Sequence, residues 1–325
     1  MHQQRWLRSF AVAVGITSLA GASCAVDPGS GDGASCDGKG DVWGEDSRIE
    51  RYQLDSPALS RAARASVATV WRDELLFDAE TDTYRLTHDV TLGAAYKLCD
   101  GERFIDQPAA SDCSGILIDD DIVLTAGHCF TNTQCEQISV LFDYAYLSEP
   151  DDPMAVLSGI PANDVYHCQE LLMAKHEVTS DRIGHDYALV RLDRPVVGRS
   201  PAELAWTRDV ADGQTVYAIG HPSQLPQKIA HGKMLDGHGN PNFIVHNTDV
   251  FGGNSGGGIW DGRGRLLAAH SRSSAKRYVP SEDETCNVVA VCGDNVECPF
   301  TPASYALDSL ARELPAELKR ELGAP

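Results

Sequence analysis

Ile116-Leu117-Ile118-Asp119-Asp120-Asp121-Ile122-Val123-Leu124-Thr125-Ala126-Gly127-His128-Cys129 carries two apolar triplets separated by three aspartates. A polar break between strand-prone runs reads as a β-hairpin. The second arm of the hairpin delivers a histidine that is followed at once by a cysteine. Cys113 stands sixteen positions upstream of Cys129. A disulfide between them would close the hairpin and hold the histidine loop still, contributing about 3 kcal/mol by loop closure.

Outward from this hairpin the strand signals continue. Val67–Trp71, Ile138–Phe142, Tyr187–Leu192, Val216–Ile219, Phe243–His246, Gly258–Trp260 and Leu266–His270 are short β-prone runs, with Gly, Pro and Asp between them. Many short strands with such punctuation predict a sandwich or barrel. A short helix or part of a propeptide is expected over Ser56–Arg64, and an amphipathic helix over Ser304–Leu322, interrupted or restarted at Pro315. No internal repeat is visible.

The chemistry concentrates in three motifs. Ser255 lies in Phe251-Gly252-Gly253-Asn254-Ser255-Gly256-Gly257-Gly258. Glycines around a serine allow a sharp turn and let the N–H groups of Gly253 and Ser255 converge on one spot. A serine hydroxyl is a poor nucleophile unless a base lies in hydrogen-bond reach and a third group fixes that base. His128 is the candidate base. Asp186, in His185-Asp186-Tyr187-Ala188-Leu189-Val190-Arg191-Leu192, sits just before a buried-looking strand and is the candidate for the third group. Gly253–Gly257 also fits the G-x-S-x-G elbow of α/β-hydrolases. That fold requires an Asp and then a His after the serine, whereas His270 follows only fifteen residues later and alternating helices are lacking.

Together the three motifs resemble the trypsin-like, chymotrypsin-fold serine peptidases in kind and in order. Ile219-Gly220-His221-Pro222, followed by Leu225-Pro226-Gln227-Lys228, is similar to the bacterial, glutamyl-endopeptidase-like branch. The resemblance runs from about Ala65 to Ser273. It implies an all-β chain of two six-stranded antiparallel barrels with a C-terminal helix, with His128 and Asp186 from the first barrel and Ser255 from the second. It implies that Gly253 and Ser255 form the oxyanion hole and that Cys113 pairs with Cys129. It implies a serine endopeptidase acting on proteins or peptides, with no cofactor and no metal. A non-catalytic surface-binding module or an exported esterase on the same fold are the alternatives. Asn254 replaces the Asp that animal trypsins place before the serine, and Phe251 replaces their cysteine. Specificity is open: Asp249 holds the position of the acid that receives Lys or Arg in trypsins, and His270 that of the histidine used by glutamyl endopeptidases. Both are candidate substrate-binding residues.

Composition fits an exported protein. The chain has 325 residues and ten cysteines, many for a reducing compartment. Arg5 and Arg8 precede a short apolar run from Phe10 to Ala22, which reads as a signal peptide over residues 1–22. Cys24 within LAGASC offers a second outcome, a lipid anchor, although Gly21 stands where a lipobox has Leu. Residues 23–55, rich in Gly, Asp and Ser, are expected to be a flexible linker or propeptide, and 56–325 the peptidase domain. The formal charge is −20, which disfavours nucleic acid and anionic membranes as partners. No segment predicts a membrane span, and a monomer is expected. His231, Asp236 and His238 form a small group that reads as a solvated loop rather than a metal site. Cys99, Cys135, Cys168, Cys286, Cys292 and Cys298 are expected in disulfides of undetermined pairing.

Overall fold

The apolar runs on either side of Asp119-Asp120-Asp121 pair as an antiparallel hairpin, Cys113–Leu117 against Ile122–Thr125. The computed structural model describes residues 42–178, 183–236, 239–273, 277–292 and 301–325. The first barrel contains β1 (Ser66–Trp71), β2 (Cys113–Leu117), β3 (Ile122–Thr125), β4 (Ile138–Leu141), β5 (Val165–Val178) and β6 (Ile183–Leu192). It closes in the order β5-β6-β3-β2-β1-β4. The second contains β7 (Thr215–Gly220), β8 (Lys228–Asp236), β9 (Phe243–His246), β10 (Gly258–Asp261), β11 (Arg265–Arg272) and β12 (Ala303–Ala306). Its order is β11-β10-β7-β8-β9-β12, and pairing of β12 with β11 closes it. The expected pair of six-stranded antiparallel barrels is thus what the chain forms.

The continuous apolar runs have a simple cause. Successive side chains of a strand point to opposite faces. Leu117 and Val123 fill the first barrel with Val67, Val140 and Phe142, while Ile116, Ile118, Ile122 and Leu124 face a second core. That second core also takes Ile219 and Trp260 from the other barrel. Both faces of the hairpin are therefore dry, and alternation with polar residues disappears.

Helix α1 (Pro57–Ala65) and the C-terminal helices α2 (Leu307–Glu313) and α3 (Ala316–Glu321) cover this shared core. Ser56 caps α1 through its hydroxyl and Pro57 opens it, which satisfies an end donor and fixes φ. Leu310, Leu314, Leu318 and Leu322 pack inward from the C-terminal segment. The break at Pro315 is as expected. Ser304, however, lies in β12 rather than in a helix: pairing with β9 and β11 recruits residues 303–306 to close the barrel, and that gain outweighs local helix propensity.

The disulfide between Cys113 and Cys129 forms, and Cys99–Cys286 and Cys135–Cys168 are two further bridges. Residues 42–55, expected to belong to a flexible linker or propeptide, are folded onto the barrels. Val42–Trp43 pairs with Val291–Cys292, and Ile49–Glu50 pairs with β8. The composition of this arm looked unfoldable, but Arg48 is only 1% exposed and ion-paired to Asp46. Val42 is fully buried and Ile49 packs against the shared core, so apolar residues seat the arm beside that ion pair. The signal peptide, Cys24, His238 and Cys298 lie outside the described residues.

Candidate active site

His128 sits in the helical turn Gly127–Phe130, immediately after β3. Gly127 permits the turn, because a Cβ there would collide with the carbonyl oxygen of Lys175 in β5. Asp186 lies near the start of β6, opposite His176 of β5. Ser255 lies between β9 and β10 of the second barrel. The His128 Nδ1 is 2.8 Å from Asp186 Oδ2, and its Nε2 is 2.8 Å from Ser255 Oγ. The His128 backbone N–H also donates to Asp186 Oδ1 at 2.9 Å. Three residues separated by up to 127 positions therefore form one hydrogen-bonded line.

Asp186 has a side chain 1% exposed, whereas that of His128 is 31% exposed. Burial pushes the Asp186 carboxyl up, but the bonds and charge of His128, with a further bond from Ser271, outweigh it and hold it below the usual carboxylate range. The carboxylate is thus charged at neutral pH and orients the imidazole so that Nε2 faces the serine. The Ser271 hydroxyl donates to Asp186 Oδ2. Sequence reasoning missed Ser271. Its only signal is its position directly after His270 on a predicted strand.

The serine turn is held from several sides. Asn254 N–H donates to the Phe251 carbonyl at 2.9 Å, and Asn254 Oδ1 accepts from Phe251 N–H at 3.1 Å. Asn254 thus closes the turn on itself by hydrogen bonds that need no charge. Gly256 N–H donates to the His270 carbonyl and His270 N–H to the Gly257 carbonyl, both at 2.7 Å. Ser114 of β2, also missed in the sequence, reaches across from the first barrel. Its N–H donates to the Ser255 carbonyl and its hydroxyl to the Gly253 carbonyl, each at 2.8 Å.

Gly253 has φ +101°, and a Cβ there would collide with the His221 carbonyl oxygen. The Ser223 N–H donates to the Gly252 carbonyl at 2.7 Å. Because a trans peptide sets its C=O and N–H in opposite directions, the Gly253 N–H points away from Ser223. Among the described residues neither the Gly253 nor the Ser255 N–H donates to a protein acceptor.

Asp249 and His270 are placed differently from the three aligned residues. Asp249 is 2% exposed, and both its oxygens are taken by the N-terminal arm: Trp43 N–H at 2.8 Å, Ser47 N–H at 2.7 Å and the Ser47 hydroxyl at 2.6 Å. Burial pushes its carboxyl above the usual range against those bonds. His270 is also 2% exposed; its Nδ1 is 3.3 Å from Ser304 Oγ, which in turn is 2.8 Å from His246 Nε2. Burial drives the His270 imidazole well below the ordinary histidine value, with His246 and His128 adding to the effect. Cys113, His128 and Cys129 lie close together like metal ligands, but the sulfurs are bonded to each other and both ring nitrogens face Asp186 and Ser255.

Residues 113–268 match the trypsin-like peptidase domain family. No curated protein sequence matches the chain. Among solved structures, the serine endoprotease from Yersinia pestis is similar at 17% identity and a TM-score of 0.45, covering 82% of this chain. The chain spans 65% of the length of that endoprotease. An inactive mutant form of Rv3671c from M. tuberculosis is similar at 12% identity and a TM-score of 0.44, covering 84% of this chain and 93% of the other. Residues 113–268, which hold His128, Asp186 and Ser255, are thus a trypsin-like peptidase domain.

Proposed function

We propose that the protein is an exported serine endopeptidase with His128, Asp186 and Ser255 as its catalytic triad. The observation that carries this reading is the line Asp186–His128–Ser255, with both links at 2.8 Å. Ser255 Oγ attacks the peptide carbonyl while His128 Nε2 takes its proton. The N–H groups of Gly253 and Ser255 stabilise the oxyanion that forms. His128 then gives the proton to the leaving amine, and water releases the acyl group by the same route in reverse. Asp186 stays ionised throughout and stabilises the imidazolium.

Export is supported by the charged start and apolar run of the first 22 residues and by the disulfides Cys99–Cys286, Cys113–Cys129 and Cys135–Cys168. Among the described residues no helix is long and apolar enough to cross a membrane. Purified Ser255→Ala should fold and lose peptide hydrolysis by about 10⁶-fold. Undiminished hydrolysis by that variant contradicts the assignment. Ester turnover without peptide turnover by the wild type selects an esterase instead. A wild type that neither turns over substrate nor reacts with a fluorophosphonate is a binding module.

A further inference from the structure

The segment Val42–Arg48 does more than precede the barrels. It meets the loop that ends in Ser255 at two points. At the first, Trp43 and Ser47 saturate the buried Asp249 carboxylate with three donors. At the second, the Arg48 guanidinium lies 4.1 Å from the centre of the Phe251 ring. Phe251 is fully buried and is the residue whose N–H and carbonyl close the turn with Asn254, directly before the serine.

Arg48 is itself fixed. Asp46 binds its Nε at 2.9 Å and its Nη2 at 2.7 Å, and Phe104 lies on it with a ring centre at 5.0 Å. Arg103 donates to the carbonyls of Asp46 and Arg48. Just beyond, Glu50 pairs with the buried Lys228 at 3.1 Å. The arm is thus anchored in a buried charged cluster on one side and grips the serine loop on the other. A buried carboxylate stripped of its donors is strongly disfavoured, so without the arm Asp249 would turn toward water and carry its loop along.

We infer that Ser47 and Arg48 are positioning residues, and that the arm Val42–Arg48 holds the loop Asp249–Ser255 in its reactive conformation. The inference rests on the reading of Ser255 as a nucleophile. It assigns Asp249 to the arm rather than to a basic substrate side chain. The loop must hold both the Ser255 hydroxyl and the two N–H groups in register, and a displacement of about 1 Å at such a site costs on the order of 100-fold in rate.

The test compares wild type, Arg48→Met, Arg48→Lys, Ser47→Ala and Leu318→Ala in the full-length exported protein. Each is assayed well below its own thermal midpoint. The readouts are the rate of fluorophosphonate labelling, and kcat and KM on an ester substrate. Arg48→Met should slow labelling by about 10- to 100-fold and lower kcat far more than it changes KM. Arg48→Lys should recover part of the rate. Leu318→Ala lies in α3, away from the loop, and should keep the wild-type labelling rate despite a lowered midpoint. Where Arg48→Met yields no folded protein, Ser47→Ala decides: it removes one donor to Asp249, leaves the buried cluster intact, and should slow labelling by about 3- to 10-fold. A folded Arg48→Met that labels at the wild-type rate overturns the inference, as does an unchanged Ser47→Ala. A wild type that does not label defeats the nucleophile assignment and not the arm.

Discussion

The two barrels hold their contributions to the site by different means. The first carries His128 and Asp186 on or beside regular strands, and the loop after His128 is stapled at Cys113–Cys129 and again at Cys135–Cys168. Each closes a loop short enough that the two bridges contribute between about 3 and 4 kcal/mol apiece. The second barrel presents Ser255 on a glycine-rich turn between strands. That turn is held by hydrogen bonds: from Ser114 of the first barrel, from the His270 backbone, and within itself through Asn254. Asp186 is fixed by sheet, and the His128 loop by sheet and covalent staples. Ser255 is fixed by polar contacts from Ser114, His270 and Asn254, residues distant in sequence or within the turn itself, which leaves it more sensitive to distant change.

Among changes that leave Ser255 itself in place, the largest effect should come from the first barrel. Asp186→Asn keeps the shape but loses the charge that sets the imidazole. It should lower kcat by about 10⁴-fold at neutral pH, read by steady-state hydrolysis; a loss under tenfold breaks the contrast, because the first barrel would then contribute little beyond structure. Next comes the turn. Gly253→Ala places a Cβ at φ +101° against the His221 carbonyl, so the peptide must rotate and withdraw one N–H. kcat should fall by about 10²- to 10³-fold with little change in KM.

A smaller effect is expected from the staple. The Cys113→Ser, Cys129→Ser double variant should lose about 3 kcal/mol in urea unfolding, while one that matches the wild type would show that sheet alone fixes the histidine loop. The smallest concerns pH. Burial depresses the imidazoles of His221 and His246, both in or beside strands of the second barrel, from 6.5 to about 3. Between those values the unfolded chain binds protons that the folded chain does not. Stability therefore falls as pH drops below 6.5, by up to about 1.4 kcal/mol per pH unit for each histidine. Urea midpoints at pH 7 and pH 6 measure this, and His246→Gln should flatten the slope.

What was legible in the sequence follows the same division. The hairpin 116–124, most of the strand runs and the three motif residues were readable because each depends on local pattern. Strand β5 was not, since register shifts at Cys168/Glu170 and Leu171/Met173 break its alternation. Strand β8 begins with the fully buried Lys228, a residue that reads as surface. Ser114 and Ser271 carry no local mark, because their partners lie more than 80 positions away. The arm was misread as linker for the same reason: Ser47 and Asp249 are 202 positions apart, and composition does not register a buried ion pair. The roles of Asp249 and His270 stayed open in sequence because position alone does not say what occupies a carboxylate or an imidazole.

The most direct test is to label the wild type and His128→Ala with a fluorophosphonate at neutral pH and to locate the adduct by peptide mass spectrometry. One adduct on Ser255, formed in the wild type and almost absent from folded His128→Ala, is the expected result. An adduct on another serine, or labelling of Ser255 that is unaffected by loss of the imidazole, would contradict the assignment of His128 and Ser255 as base and nucleophile.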